Sequence, residues 1–92
     1  MLAEDTRFAP ADTLAWNDAG DELALFDRAT ESYFALNATA VAIWRQLVAG
    51  RTVGETVDAL AAQFDSPRET TADDVATFVH DALERHLLVA RG

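Results

Sequence analysis

The chain reads as an α+β domain, a three-stranded antiparallel sheet followed by three helices. Three observations predict this. Apolar residues alternate in twos as far as Leu36 and recur in threes and fours from Ala38 onward. Clusters of turn-forming residues cut the first half into short runs. In the second half, Gly50 and the boxes Thr52-Val53-Gly54-Glu55 and Thr71-Ala72-Asp73-Asp74 read as helix stops and starts. Strands and helices kept apart along the chain, rather than alternating, indicate α+β.

Residues 1–11 carry no strong period. Phe8 followed by Pro10 suggests an extended lead-in suited to a sheet edge, since proline cannot donate to a ladder, and the domain proper spans 12–92. Leu14 and Trp16 alternate within Thr13-Leu14-Ala15-Trp16-Asn17, the first strand. Asp18-Ala19-Gly20-Asp21 is a turn cluster in which Gly20 can take a positive φ. Glu22-Leu23-Ala24-Leu25-Phe26 is the second strand, and Asp27-Arg28-Ala29-Thr30-Glu31 a looser connection. Ser32-Tyr33-Phe34-Ala35-Leu36 is the third strand. Asn37 then offers a side-chain acceptor to the first helical turn, so a strand ends and a helix begins within a single residue.

The first helix runs from about Ala38 to Ala49, with Ala40, Ile43 and Leu47 in one row and Val41, Trp44 and Val48 in the next. The second opens at the Thr52 box and carries Val53, Val57, Leu60 and Ala61 to about Phe64. Gly54 inside it costs up to about 1 kcal/mol relative to alanine, with no compensation visible in the sequence. Asp65-Ser66-Pro67-Arg68-Glu69 is expected to be a loop. The last helix is expected from about Thr71 to His86, striped by Val75, Phe78, Val79, Ala82, Leu83 and Leu87. Leu88-Val89 closes the fold as a short packed tail, and the last two helices could form a helix-turn-helix.

Ninety-two residues, half of them hydrophobic, support one small core. The chain has no cysteine, hence neither a disulfide framework nor a thiolate metal site. Its acidic start lacks the apolar region of a signal peptide, and no apolar run reaches membrane-spanning length, so a cytoplasmic protein without membrane contact is expected. The net charge is −9, with seven arginines scattered among sixteen carboxylates. That field opposes nucleic acid. The last helix would be the DNA-reading one, and it carries Asp73, Asp74, Asp81 and Glu84 against Arg85 alone. Ser32 and Ser66 lack a neighbouring histidine, and no glycine-rich phosphate loop or zinc spacing is present. His80 and His86, six residues apart, fall on opposite sides of a helix and cannot share a metal without help from elsewhere in the chain. No enzyme, cofactor or metal site is indicated.

In a meander the first and third strands are both edges, with unpaired backbone groups that invite strand addition. On the third strand, Phe34 and Leu36 share the face expected to enter the core, and Tyr33 and Ala35 share the other. Such an edge also permits homodimerisation.

Phe26-Asp27 to Leu36-Asn37, Ala38-Thr39-Ala40, Ile43-Trp44 and Gly50-Arg51-Thr52-Val53-Gly54-Glu55 resemble the PqqD-like family, the RiPP recognition elements, over about residues 12 to 89. One departure is His86 before Leu87-Leu88, where the family often has glycine; it bears on the geometry of the last helix end. The resemblance implies a winged helix-turn-helix-like fold that binds the leader of a ribosomally made precursor peptide. In such domains the leader adds to the third strand and packs against the third helix. Carried onto this chain, the platform is Ser32, Tyr33, Phe34, Ala35 and Leu36, and the helix contacts are Asp74, Val75, Phe78, Val79, Asp81 and Ala82. Whether Val75, Val79 and Leu83 belong to groove or core stays open at this point. The implied partners are the leader peptide and a maturation enzyme, such as a leader protease, cyclase or radical enzyme. A lasso-type pathway is favoured because Thr30-Glu31-Ser32-Tyr33-Phe34 looks closer to the small standalone members serving there. The alternatives are a carrier for the pyrroloquinoline quinone precursor peptide and, from another class, a winged-helix DNA-binding regulator.

Overall fold

The computed structural model describes residues 3–19 and 22–91. The turn expected around Gly20 and Asp21 lies outside the described residues. The element order is β1 (Arg7–Pro10), β2 (Leu14–Ala19), β3 (Glu22–Asp27), β4 (Ser32–Leu36), α1 (Ala38–Val48), α2 (Val53–Gln63), α3 (Arg68–Glu84) and β5 (Leu88–Arg91). The expected meander is the antiparallel sheet β2-β3-β4, so the third strand of the sequence reading is β4. Three helices follow it, as an α+β fold requires.

The register sets Trp16, Leu25 and Phe34 in one row across the sheet and Ala15, Phe26 and Tyr33 in the next. Rows alternate between faces. The Leu25 row turns toward the helices: Leu25 is wholly buried, with Val41, Ile43, Trp44 and Leu47 of α1 also in the core. The Phe26 row faces away, and there the Phe26 and Tyr33 rings meet with centroids 4.7 Å apart. Trp44 has no exposed surface and packs edge-to-face against Trp16, centroids 5.3 Å apart. Its indole N–H finds no acceptor among the described residues. Val53, Val57 and Leu60 of α2, with Val75, Val79 and Ala82 of α3, close the core from the far side. Each such aliphatic side chain contributes about 1.5–3 kcal/mol by leaving water.

The N-terminal lead-in is bound into this core. β1 pairs antiparallel with β5, Phe8 opposite Ala90, and Phe8 is buried. Leu88-Val89, read as a tail, is thus the start of a strand. Upstream of β1, the Gly54 N–H donates to the Glu4 carbonyl at 2.8 Å. A Cβ at position 54 would stand 3.0 Å from the Glu4 carboxylate and 3.2 Å from its carbonyl oxygen. The glycine inside α2 therefore has a reason that the sequence hides, the close approach of another backbone. Arg68 fastens the same segment, binding the Glu4 and Asp58 carboxylates at 2.7 Å each.

The helix termini correct one expectation and explain one departure. The Thr52–Glu55 capping box is present at the start of α2. The Thr71 box does not start α3, which begins at Arg68 behind Pro67. Thr71 lies in the first turn, buried, and its hydroxyl donates back to the Pro67 carbonyl at 3.2 Å, a local bond that competes with capping. At their other ends all three helices pass into left-handed backbone, at Gly50 (φ 91°), Asp65 (φ 50°) and His86 (φ 59°). After α3 the Leu87 N–H donates to the Ala82 carbonyl at 2.8 Å and the His86 N–H to the Leu83 carbonyl at 3.2 Å. This is a Schellman cap, so His86 adopts the conformation usually left to glycine.

A groove between the open edge of β4 and helix α3

Among the described residues β4 is paired with β3 on one side only, which leaves its other side open. Which of its backbone groups face outward follows from one bond. The Arg28 N–H donates to the Thr13 carbonyl at 2.9 Å, extending the β2–β3 register by one residue. Backbone groups alternate in direction along a strand. Residues 28, 26 and 24 therefore address β2, and Asp27, Leu25 and Leu23 address β4. Their partners Ser32, Phe34 and Leu36 are the inward-bonded residues of β4. The N–H and C=O groups of Tyr33 and Ala35 point to the open edge.

Beside that edge lies a groove of about 430 Å³. Phe34, Leu36, Ala40, Phe78, Ala82 and Leu87 give it an apolar lining, and Asn37, Asp81 and Arg85 give it polar rims. The local sequence builds each wall. The Asn37 side chain accepts from the Ala40 N–H at 2.8 Å, which starts α1 directly under the end of β4. The Schellman cap folds Leu87 back onto Ala82 and closes the groove at the C-terminal end of α3. Arg85 pairs with Asp81 one turn earlier at 3.2 Å, and its guanidinium carbon stands 5.7 Å from the centre of the Phe34 ring.

The residues singled out in the sequence fall into three groups. Tyr33, Phe34, Ala35, Leu36, Phe78, Asp81 and Ala82 meet in the groove. Tyr33 is 74% exposed. Phe34 and Leu36 are half-buried at the groove rather than enclosed in the core, because an edge strand is covered from one flank only. Asp74 sits farther along α3, beside a shallower pocket of about 340 Å³ that shares Asn37, Ala40 and Phe78 with the groove. Ser32 lines a separate cavity at the start of β4. Val75 and Val79 are 0% exposed. They are core residues that seat α3, and no ligand in the groove touches them without displacing the helix. Leu83 packs against the core, outside the groove lining.

Four lining residues, Asn37, Ala40, Arg85 and Leu87, were not foreseen as site residues. Arg85 carried a usable signal, since Asp81 lies four residues before it on the same helix. Asn37, Ala40 and Leu87 were read for capping and core, and those roles concealed a second one.

The groove combines four unpaired backbone groups with an apolar trough and few charges, an arrangement suited to an extended peptide. The exposed face of α3 remains acidic, with Asp73, Asp74, Asp81 and Glu84. Among the described residues, no helix is long and apolar enough to cross a membrane.

The chain is similar to known proteins in sequence and in fold. The family model for PqqD, coenzyme PQQ synthesis protein D, matches residues 22–88. A PqqA binding protein of Gluconobacter oxydans (strain 621H) is 36% identical over 61 residues, 66% of this chain and 64% of that protein. The chain thus spans slightly under two thirds of that relative's length. Among solved structures, TbiB1 in complex with the TbiA(beta) leader peptide superposes with a TM-score of 0.82 at 30% identity, over 87% of this chain and 93% of that one. A lasso peptide synthetase B1 complexed with the leader peptide superposes at 0.83 over 95% and 99%, and at 22% identity it speaks for the fold alone.

Proposed function

Since this chain belongs to the PqqD family, we propose that it binds the leader segment of a ribosomally synthesised precursor peptide and presents it to a maturation enzyme. The observation that carries this reading is the outward phase of Tyr33 and Ala35 on an unpaired strand, beside an apolar groove ending at α3. The leader adds to β4 as a fourth strand. Its alternate side chains drop toward Phe34, Leu36, Phe78 and Ala82, while Asp74 and Asp81 border the path on the helix side. Backbone bonds supply affinity that is indifferent to sequence, and the trough supplies selection. The domain acts as a cytosolic, non-catalytic adaptor, and the protease, cyclase or radical enzyme it serves performs the chemistry.

A lasso-type pathway is the favoured setting. It rests on the likeness of Thr30-Glu31-Ser32-Tyr33-Phe34 to the small standalone members of the family, while the likeness to TbiB1, over nearly the whole of both chains, supports the binding of a leader peptide. A carrier for the quinone precursor peptide is the second reading, favoured by the 36% identity to the PqqA binding protein.

Residue-resolved amide exchange tests the proposal, with synthetic PqqA and TbiA(beta) leader peptides as probes. Slowed exchange is expected at Tyr33 and Ala35, with little change at Phe34 and Leu36, whose amides are already bonded to β3. Binding without protection at Tyr33 and Ala35 would sink the strand-addition reading. A sequence-specific mobility shift with DNA would replace it with a regulator.

A further inference from the structure

A second cavity, of about 510 Å³, lies at the start of β4, in the gap between the two sheets. Ala11, Thr30, Ser32, Leu88 and Val89 contribute to it, and it shares two walls, Phe34 and Arg85, with the groove. Val89 is 49% exposed there, the one aliphatic side chain among the exposed large hydrophobic residues described. We infer that this cavity is a second side-chain subsite for the same peptide, taking an apolar residue two or four positions along from the residue held in the groove. The inference rests on the strand-addition reading.

The register of an added strand dictates the spacing. In a ladder bonded to Tyr33 and Ala35, the peptide residues opposite Leu36, Phe34 and Ser32 all point to the same face as those side chains. Those opposite Leu36 and Phe34 look into the groove. The one opposite Ser32 looks into the second cavity, about 7 Å farther on per two residues. The cavity therefore lies on the line an extended peptide follows as it leaves β4. Its apolar walls at Ala11, Leu88 and Val89 suit an aliphatic or aromatic side chain, and Arg85 separates the two subsites by lying over Phe34. The groove alone would select side chains only at the two positions opposite Leu36 and Phe34. Two subsites at fixed spacing give the domain a ruler.

The experiment is selection from a displayed library of random twelve-residue peptides, on the wild-type protein and on three variants. Wild type is expected to enrich peptides with two apolar residues spaced by two or four. Val89→Asp and Ala29→Trp place a charge and a bulky ring in the second cavity from exposed positions, and Ala29→Trp keeps the backbone N–H that binds Asp27, so neither tests the core. Each is expected to lower the affinity of an enriched two-anchor peptide by about tenfold, the order expected for one lost apolar contact. The same peptide with its second anchor changed to alanine should bind both variants as it binds wild type. Enrichment of single-anchor peptides, a different spacing, or unchanged affinity in both cavity variants overturns the inference. Ala35→Pro separates the two levels. If it leaves all enrichment intact, strand addition itself fails. If it abolishes enrichment while the cavity variants do nothing, only the second subsite fails.

Discussion

Replacing Ala35 with proline removes one hydrogen-bond donor and nothing from the core. The Ala35 N–H faces the open edge, so the fold loses no ladder bond, and proline is tolerated on an edge strand when its missing donor faces solvent. The residue before it, Phe34, is already extended, as proline requires. A peptide strand, however, loses the bond to that N–H, and the ring crowds the neighbouring one. One or two of the four edge bonds, at about 0.5–1.5 kcal/mol each, correspond to roughly a two- to hundredfold rise in Kd. Leu36→Pro is the matched control. Its N–H faces β3 opposite Leu23, so its removal strands a carbonyl inside the sheet and destabilises the domain by about 1–3 kcal/mol. Urea unfolding and calorimetric titration with a leader peptide read the two effects separately. An Ala35→Pro protein that binds as tightly as wild type, or that unfolds as readily as Leu36→Pro, refutes the assigned phase of β4.

Three further outcomes are expected. His86→Gly should raise the urea midpoint by the equivalent of about 1 kcal/mol, because His86 holds a left-handed conformation that costs side chains about that much. Gly54→Ala should fail to deliver the gain of up to about 1 kcal/mol expected in an ordinary helix, and should instead lower the midpoint, since its Cβ meets a Glu4 backbone fixed by the Gly54 N–H. Stability should also fall in acid. The Ala29 N–H and the Thr13 hydroxyl hold the Asp27 carboxyl below the usual carboxylate range, with further help from Thr30, and Arg68 does the same for Glu4. A carboxyl with a folded pKa below its unfolded one stabilises above the unfolded value and loses that contribution as pH falls through the folded one, here below about pH 4. Urea midpoints between pH 7 and pH 3 should show the drop, and Asp27→Asn should make it shallower.

The parts of the fold legible in the sequence were those encoded locally. Alternation at Leu23 and Leu25, the Asn37 cap and the Thr52–Glu55 box all act within a few residues, and each element appears where it was read. What escaped the sequence depends on distant partners. β5 exists because Leu88–Arg91 finds Arg7–Pro10 at the other end of the chain, and no four-residue run announces such a match. Gly54 looked like a defect in α2 because its partner, Glu4, lies fifty residues away. The start of α3 was misplaced for another reason, since Thr71-Ala72-Asp73-Asp74 has the right chemistry for a cap and the wrong position, inside a turn begun by Pro67. At the site, the period of α3 marked one apolar stripe but could not divide it. Val75 and Val79 turn inward and Phe78 turns to the groove, a difference of one position that only packing resolves.

The open flank of β4 has a topological consequence. Adding a strand to a sheet does not remove the edge; it moves it outward by one strand, about 4.8 Å. The count of free edges is conserved, so the loaded domain is as much a template as the empty one, with the guest's own main chain now on the rim. A peptide held in this way is buried along one side and left bare along the other, and the bare side keeps its own unpaired backbone groups.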